Sequence, residues 1–160
     1  LLGTSGYCIL SDSYDSTIYR KAVFEGPVTL ANQLKKFGKA KISFDCKPQC
    51  FLISGDTPQV IASSGSSLTN LYREALPLIE IVGSGDITFT IGDNSVAIAD
   101  LDTAITLDAE VQNCYHGTTN LNSIVTLDND FPVLKHGNNT ITWSGSVTSV
   151  TITPRWWRLV

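Results

Sequence analysis

No methionine occurs anywhere in the 160 residues. A chain that lacks a start residue and opens on Leu1-Leu2-Gly3 is expected to be a processed product or, better, a piece of a longer protein. Charge is scarce as well. Asp, Glu, Lys and Arg together make up 16% of the residues, well under the roughly 25% of an average domain. The net charge is −4 and no basic run is present. The densest basic group, Lys35, Lys36, Lys39 and Lys41, suits a solvated strand face better than the broad positive footprint of a nucleic-acid binder. No apolar run reaches the roughly 18 residues of a membrane-spanning helix, so neither nucleic acid nor membrane is an expected partner.

The motifs that carry chemistry are missing in the same way. There is no Gly-rich phosphate loop, no Ser nucleophile elbow and no HExxH zinc motif. No cofactor and no metal are therefore expected. The four cysteines are Cys8, Cys46, Cys50 and Cys114. Cys46-Lys-Pro-Gln-Cys50 has the wrong spacing for a zinc knuckle or a redox CxxC pair, and free thiols are the simpler reading. Cys114-Tyr115-His116 is the one place where a thiol and an imidazole lie two apart, which on a strand puts them on one face. No third, orienting group is visible, so a packed Cys beside an exposed His is preferred to a catalytic couple. Asp100-Leu101-Asp102 and Asp128-Asn129-Asp130 lack the ligand spacing and closing Glu of a calcium loop, and read as turn residues. Asn138-Asn139-Thr140 matches the glycosylation pattern and, with no secretory signal in view, is set aside.

What is present is a chain rich in Thr, Ser, Ile and Val whose apolar residues alternate. Residues 7–11 and 17–25 read as strands around a polar turn holding Asp12 and Asp15. Residues 28–37 fit strand or helix equally. In 39–46, Ala40, Ile42, Phe44 and Cys46 line one face of a strand that Pro48 is expected to stop. Residues 54–75, with Ser63-Ser64-Gly65-Ser66-Ser67, have the composition of a linker or exposed connection. Beyond residue 75 the pattern is denser. Segment 77–82 is a strand, Gly83-Ser84-Gly85-Asp86 a turn, and Ile87, Phe89 and Ile91 a second strand. Gly92-Asp93-Asn94-Ser95 is a hairpin signal. Strands follow at 96–98, 103–107, 110–115 and 123–127. About eight short strands with turns every 8–12 residues indicate an all-β sandwich or barrel.

The closing stretch, 137–160, holds all three tryptophans, Trp143, Trp156 and Trp157. It reads as a hairpin turning at Ser144-Gly145-Ser146, then a strand broken by Pro154. A buried Trp withdraws roughly 150–250 Å² from water, on the order of 4–6 kcal/mol, so this segment is expected to close a core. Exposed tryptophans could instead stack on sugar rings. Arg155, Trp156 and Trp157 are accordingly the candidate glycan or partner contacts.

These residues resemble one family, the distal tail protein of siphophages and their prophages. The likeness is carried by Gly137, Asn138, Ile141, Trp143, Pro154, Arg155 and Trp156 in the closing motif. Phe37-Gly38 with Ile42 to Pro48, Pro77 to Asp93, Tyr7 to Asp12, and Ile18 to Ala22 are weaker matches. Cys50 departs from the family pattern. The resemblance implies an all-β fold, with residues 1–60 as the C-terminal half of an incomplete ring-forming (belt) domain. Residues 61–160 would form an antiparallel galectin-like β-sandwich. It further implies a non-enzymatic hub of the virion tail, assembled in the bacterial host cytoplasm and homohexameric at full length. Such a hub joins the tail tube protein to the tail-tip or tail-associated protein and to receptor-binding or adhesion proteins. The alternative drawn from the residues is a carbohydrate-binding sandwich recognising a host cell-surface glycan.

Overall fold

The computed structural model describes residues 6–24 and 42–160. The Lys35–Lys41 group and the ambiguous segment 28–37 lie outside the described residues. The chain divides into two compact units, Leu1–Phe51 with Leu159–Val160, and Leu52–Arg158.

In the first unit, β1 (Cys8–Leu10) pairs antiparallel with β2 (Ile18–Phe24), with Cys8 opposite Ala22 and Leu10 opposite Arg20. The turn between them is held by its acids. Asp12 Oδ1 accepts the backbone N–H of Tyr14 and Asp15, and Asp15 Oδ1 accepts that of Thr17. The next strand, β3 (Phe44–Leu52), begins later than the alternation of residues 39–46 suggests and passes straight through Pro48. Proline is tolerated because the neighbouring segment is running out there. The Pro48 carbonyl accepts from the N–H of Val160, one residue beyond the last strand, β13 (Trp157–Leu159). The sheet order is β1-β2-β3-β13. Tyr19 stacks on Phe51 at 5.3 Å, and Lys21 Nζ lies 4.7 Å from the same ring.

The second unit is one antiparallel system built on two long strands, β6 (Leu78–Ile91) and β12 (Gly137–Thr153). Around them lie β4 (Gln59–Ile61), β5 (Ser66–Asn70), β7 (Asn94–Leu101), β8 (Ala104–Asp108), β9 (Asn113–His116), β10 (Thr119–Asn120) and β11 (Val125–Leu127). One layer runs β10-β9-β8-β6-β12-β4, and the other half of the same two long strands carries β7 with β11 on one side and β5 on the other. The period of two is plain in the register. Gln59, Ile152, Ile79, Leu107 and Cys114 form a row across five strands that faces the core. The next row, Val60, Thr151, Glu80, Thr106 and Tyr115, faces outward. In the other half, Ile87, Phe89, Ile91, Val96, Ile98 and Ile141 are buried, which gives an all-β sandwich with its core between the halves.

Two expected turns are absent. Gly83–Asp86 and Ser144–Ser146 lie inside β6 and β12, opposite one another. Between the pairs Ser144–Thr88 and Ser146–Ser84, β12 advances two residues while β6 advances four; between Val147–Gly83 and Ser149–Val82, β12 carries one extra. The glycines are spent on bulges that bend a continuous ladder. That extra residue moves the buried positions of β12 from odd (Asn139, Ile141) to even (Val150, Ile152). The segment expected as a linker is also strand. Ser64 between β4 and β5 replaces a ladder partner, its hydroxyl donating to the Trp143 carbonyl at 3.0 Å and accepting the Trp143 N–H at 2.8 Å. Gly92-Asp93 does form the two-residue hairpin, with Ile91 opposite Asn94 and Gly92 at φ 57°.

Gly145 sits at φ 96°, and a Cβ there would fall 2.3 Å from the Asp86 carbonyl oxygen. Gly65 has a similar φ of 92° but open space around it. Gly145→Ala is expected to cost about 3 kcal/mol or more, from backbone strain plus the clash. Gly65→Ala should cost about 1–2 kcal/mol from strain alone. Urea unfolding of both variants checks the pair; equal losses would mean that the two strands do not approach closely at Gly145.

Candidate functional site

Three residues of the closing motif, Pro154, Arg155 and Trp156, lie at one corner of the second unit. Pro154 ends β12, and Arg155 follows with a left-handed backbone, φ 57°. Such a conformation is uncommon for a residue with a Cβ and survives only where its surroundings over-determine it. Here the Arg155 N–H donates to the Gly55 carbonyl at 2.7 Å. Its guanidinium forks onto Asp108 at the end of β8, Nη1 to Oδ1 at 2.6 Å and Nη2 to Oδ2 at 3.1 Å. Glu110 Oε2 lies 3.5 Å from the same Nη1. Planar bidentate geometry of this kind makes the strongest of the charge-assisted hydrogen bonds.

Burial alone would raise the pKa of the Asp108 carboxyl. The hydrogen bonds and charge of Arg155, helped by the backbone N–H groups of Glu110 and Val111, outweigh it and hold the group below the usual carboxylate range. A carboxyl with a depressed folded-state pKa contributes stability above its unfolded value near 4, and that contribution disappears as pH falls through the folded value.

Trp156 is buried, its ring 6.5 Å from that of Tyr72. Its backbone carbonyl accepts from Leu52 N–H at 2.9 Å, and its backbone is so close to Gly55 that a Cβ on that glycine would fall 2.2 Å from the Trp156 nitrogen. Gly55, in a short 3-10 turn at Ile53–Asp56, is a partner of the motif that pattern reading passes over; its only trace in the sequence is a glycine between Ser54 and Asp56, just after the apolar Phe51-Leu52-Ile53. Trp157 is half-buried and its indole N–H donates to the Glu74 carbonyl at 2.8 Å. Trp143 is half-buried rather than in the core, because β12 is kinked just beyond it. The tryptophans therefore do not form one cluster. Of the candidate contacts, Arg155 and Trp156 spend their polar and apolar groups inside the unit, and Trp157 keeps part of its surface in solvent.

The cysteine–histidine pair has no activated thiol. Cys114 is buried opposite Leu107, while His116 is exposed at the far end of β9. Burial pushes the Cys114 thiol up to about 11, leaving it protonated and unreactive at neutral pH. Cys46 and Cys50 on β3 carry free thiols. Among the described residues no group of three or more His, Cys, Asp or Glu could hold a metal ion. Asp130 is a turn former, as expected, its carboxylate accepting the N–H of Phe131 at 2.7 Å.

An all-β chain with a small sheet unit, a sandwich built on two bent strands and a corner closed by Pro154-Arg155-Trp156 has a distal-tail-protein-like fold. One solved structure that the chain resembles is the SPP1 Dit protein (gp 19.1), presented as a paradigm of the hub adsorption apparatus in phages that infect Gram-positive bacteria. The similarity has a TM-score of 0.74 at 13% sequence identity and covers 95% of this chain. This chain spans 65% of the length of that one. No protein-family model matches the sequence, and no curated protein does either.

Removing one member of the Arg155–Asp108 fork leaves the other partly buried without its bidentate partner. Asp108→Asn is expected to cost about 2–3 kcal/mol at neutral pH. The gap between variant and parent should begin to close as pH falls below about 4 and be lost as pH passes the lower folded value, where the parent also loses the carboxylate. Urea unfolding across pH 3–8 reads this; a gap independent of pH would show that the fork contributes no ionic stabilisation. Maleimide labelling tests the thiol assignment: Cys114 should react far more slowly than free cysteine at pH 7.5, and fast labelling in the folded state would contradict its burial.

Proposed function

We propose that this protein is a structural component of a phage tail tip, a hub that connects tail parts and performs no catalytic step. The single observation that carries the reading is the fold-level match to SPP1 Dit over 95% of the chain. The interior supports it. The strongest polar contacts, Arg155 to Asp108 and the buried Asn70 and Asn139, hold the fold together. Asn70 Nδ2 donates to the Arg73 and Leu134 carbonyls at 2.9 and 2.8 Å, and Asn139 binds both the N–H and the carbonyl of Lys135 at 2.9 and 2.8 Å. Those bonds staple connecting segments to strands, the behaviour expected of a rigid scaffold.

In this reading the first unit belongs to a ring-forming domain and the second to a galectin-like sandwich that projects from the ring. The partners are the tail tube protein on one side and tail-tip and receptor-binding or adhesion proteins on the other. The assembled location is the virion tail, and the ring is a homohexamer. Among the described residues no helix is long and apolar enough to cross a membrane. The test is assembly. The protein, together with whatever sequence its gene encodes beyond these residues, should sediment as a closed ring and co-purify with tail tube and tip proteins of the same phage. A monomer at every concentration, with no affinity for those proteins, would overturn the proposal.

A further inference from the structure

The second unit contains a cavity of about 290 Å³ that the reading above leaves unused. It opens where β7 turns into β8 and where β9 runs into the loop before β11. Its apolar lining is Leu101, Ala104, Leu121 and Ile124, with Leu101 anchored in the core. Its polar lining includes Asp100, Asp102, His116 and Thr119, all exposed. Among the described residues no Lys or Arg lines it. A third carboxylate, Asp86, stands behind Asp100 and accepts its N–H at 3.0 Å.

The walls are fixed. The turn at Asp102-Thr103 is pinned by the Gly83 N–H donating to the Thr103 carbonyl at 3.0 Å. Asp100 is locked at φ 49°, a conformation that its bond to Asp86 sustains. The opposite wall is tied by Leu121 N–H to the Cys114 carbonyl at 2.8 Å and by Asn122 Oδ1 accepting Cys114 N–H at 2.7 Å.

The lining selects its occupant by chemistry. Carboxylates at the mouth repel phosphates and other anions and attract a cation. A pyranose would be expected to find an aromatic platform, and among the described residues none lines the cavity. Aliphatic walls below a carboxylate rim match a side chain with a hydrocarbon stem and a charged tip. The chain itself is acidic, with a net charge of −4, which favours a basic partner. We propose that this cavity receives the ammonium-tipped side chain of a lysine presented by a partner polypeptide. The stem would lie against Leu101, Leu121 and Ile124, with the ammonium between Asp100 and Asp102. This assignment stands independently of the tail-tip reading.

The probe is Nα-acetyl-lysine methylamide, titrated into the isotopically labelled protein and followed through backbone amide shifts. Saturable shifts are expected at Leu101, Ala104, His116 and Leu121. The uncharged norleucine analogue, which keeps the stem, should give none. Asp100→Asn combined with Asp102→Asn should weaken binding about tenfold or more, and so should raising salt to about 1 M. Asn tolerates the positive φ of position 100, so amide positions elsewhere should be unchanged, which separates lost binding from lost folding. The proposal is overturned if the lysine probe gives no saturable shifts or norleucine binds equally well. It is also overturned if the double variant binds unchanged, or if glucosamine, offered as a competing source of an ammonium group, binds more tightly than the lysine probe.

Discussion

The ladder between β6 and β12 is the contact on which the second unit depends. Each strand spans both halves of the sandwich, and every other strand of the unit pairs with one of them directly or through one or two intermediates. A ribbon of this length can bury a closed core only by bending, and the bend requires the two backbones to approach where they face. Gly83 and Gly145 allow it: a Cβ on either would fall 2.5 or 2.3 Å from the partner strand's carbonyl oxygen. Side chains could not be placed there without forcing the strands apart, so the bend and the absence of side chains are one constraint.

The closing motif gains a physical meaning from its corner. Gly137 at φ 96° lets the chain enter β12, Pro154 ends it without offering an N–H, and Arg155 turns it in a left-handed conformation. Each of these costs conformational freedom, and the fork to Asp108, the bond to Gly55 and the burial of Trp156 offset that cost. These residues therefore hold the end of β12 against the Gly55 turn and the end of β8.

Much of the strand pattern was legible in the chain because period-two alternation is a local signal. Residues 17–25, 96–98 and 103–107 became β2, β7 and β8 almost as read, and Gly92-Asp93 turned as its composition required. What misled was glycine and proline. Gly83-Ser84-Gly85 and Ser144-Gly145 have turn composition, yet only the facing strand, some sixty residues away in sequence, decides that they bulge instead. Pro48 and Ser64 were misread for the same reason: the groups that accommodate them belong to Val160 and Trp143. The corner was half legible. Arg155 and Trp156 stood out by composition, whereas Asp108 and Gly55 became their partners only through tertiary contact. The cavity left a trace in the pair Asp100 and Asp102, but its apolar wall comes from Leu121 and Ile124, separated from them by a full strand pair.

The position of β12 in the chain has a bearing on synthesis. Every strand it pairs with, β4, β5 and β6, precedes it, and Ser64 waits 79 residues for Trp143. As the chain leaves the ribosome, β6 to β11 can pair among themselves while one flank of β6 stays open and β4 and β5 have nothing to bind. An open strand flank is an invitation to pair with a neighbouring chain. The interval before β12 emerges is when unwanted pairing between nascent chains is most available. The Ser63-Ser64-Gly65-Ser66-Ser67 stretch of the waiting segment is polar and offers no apolar side chain to such pairing.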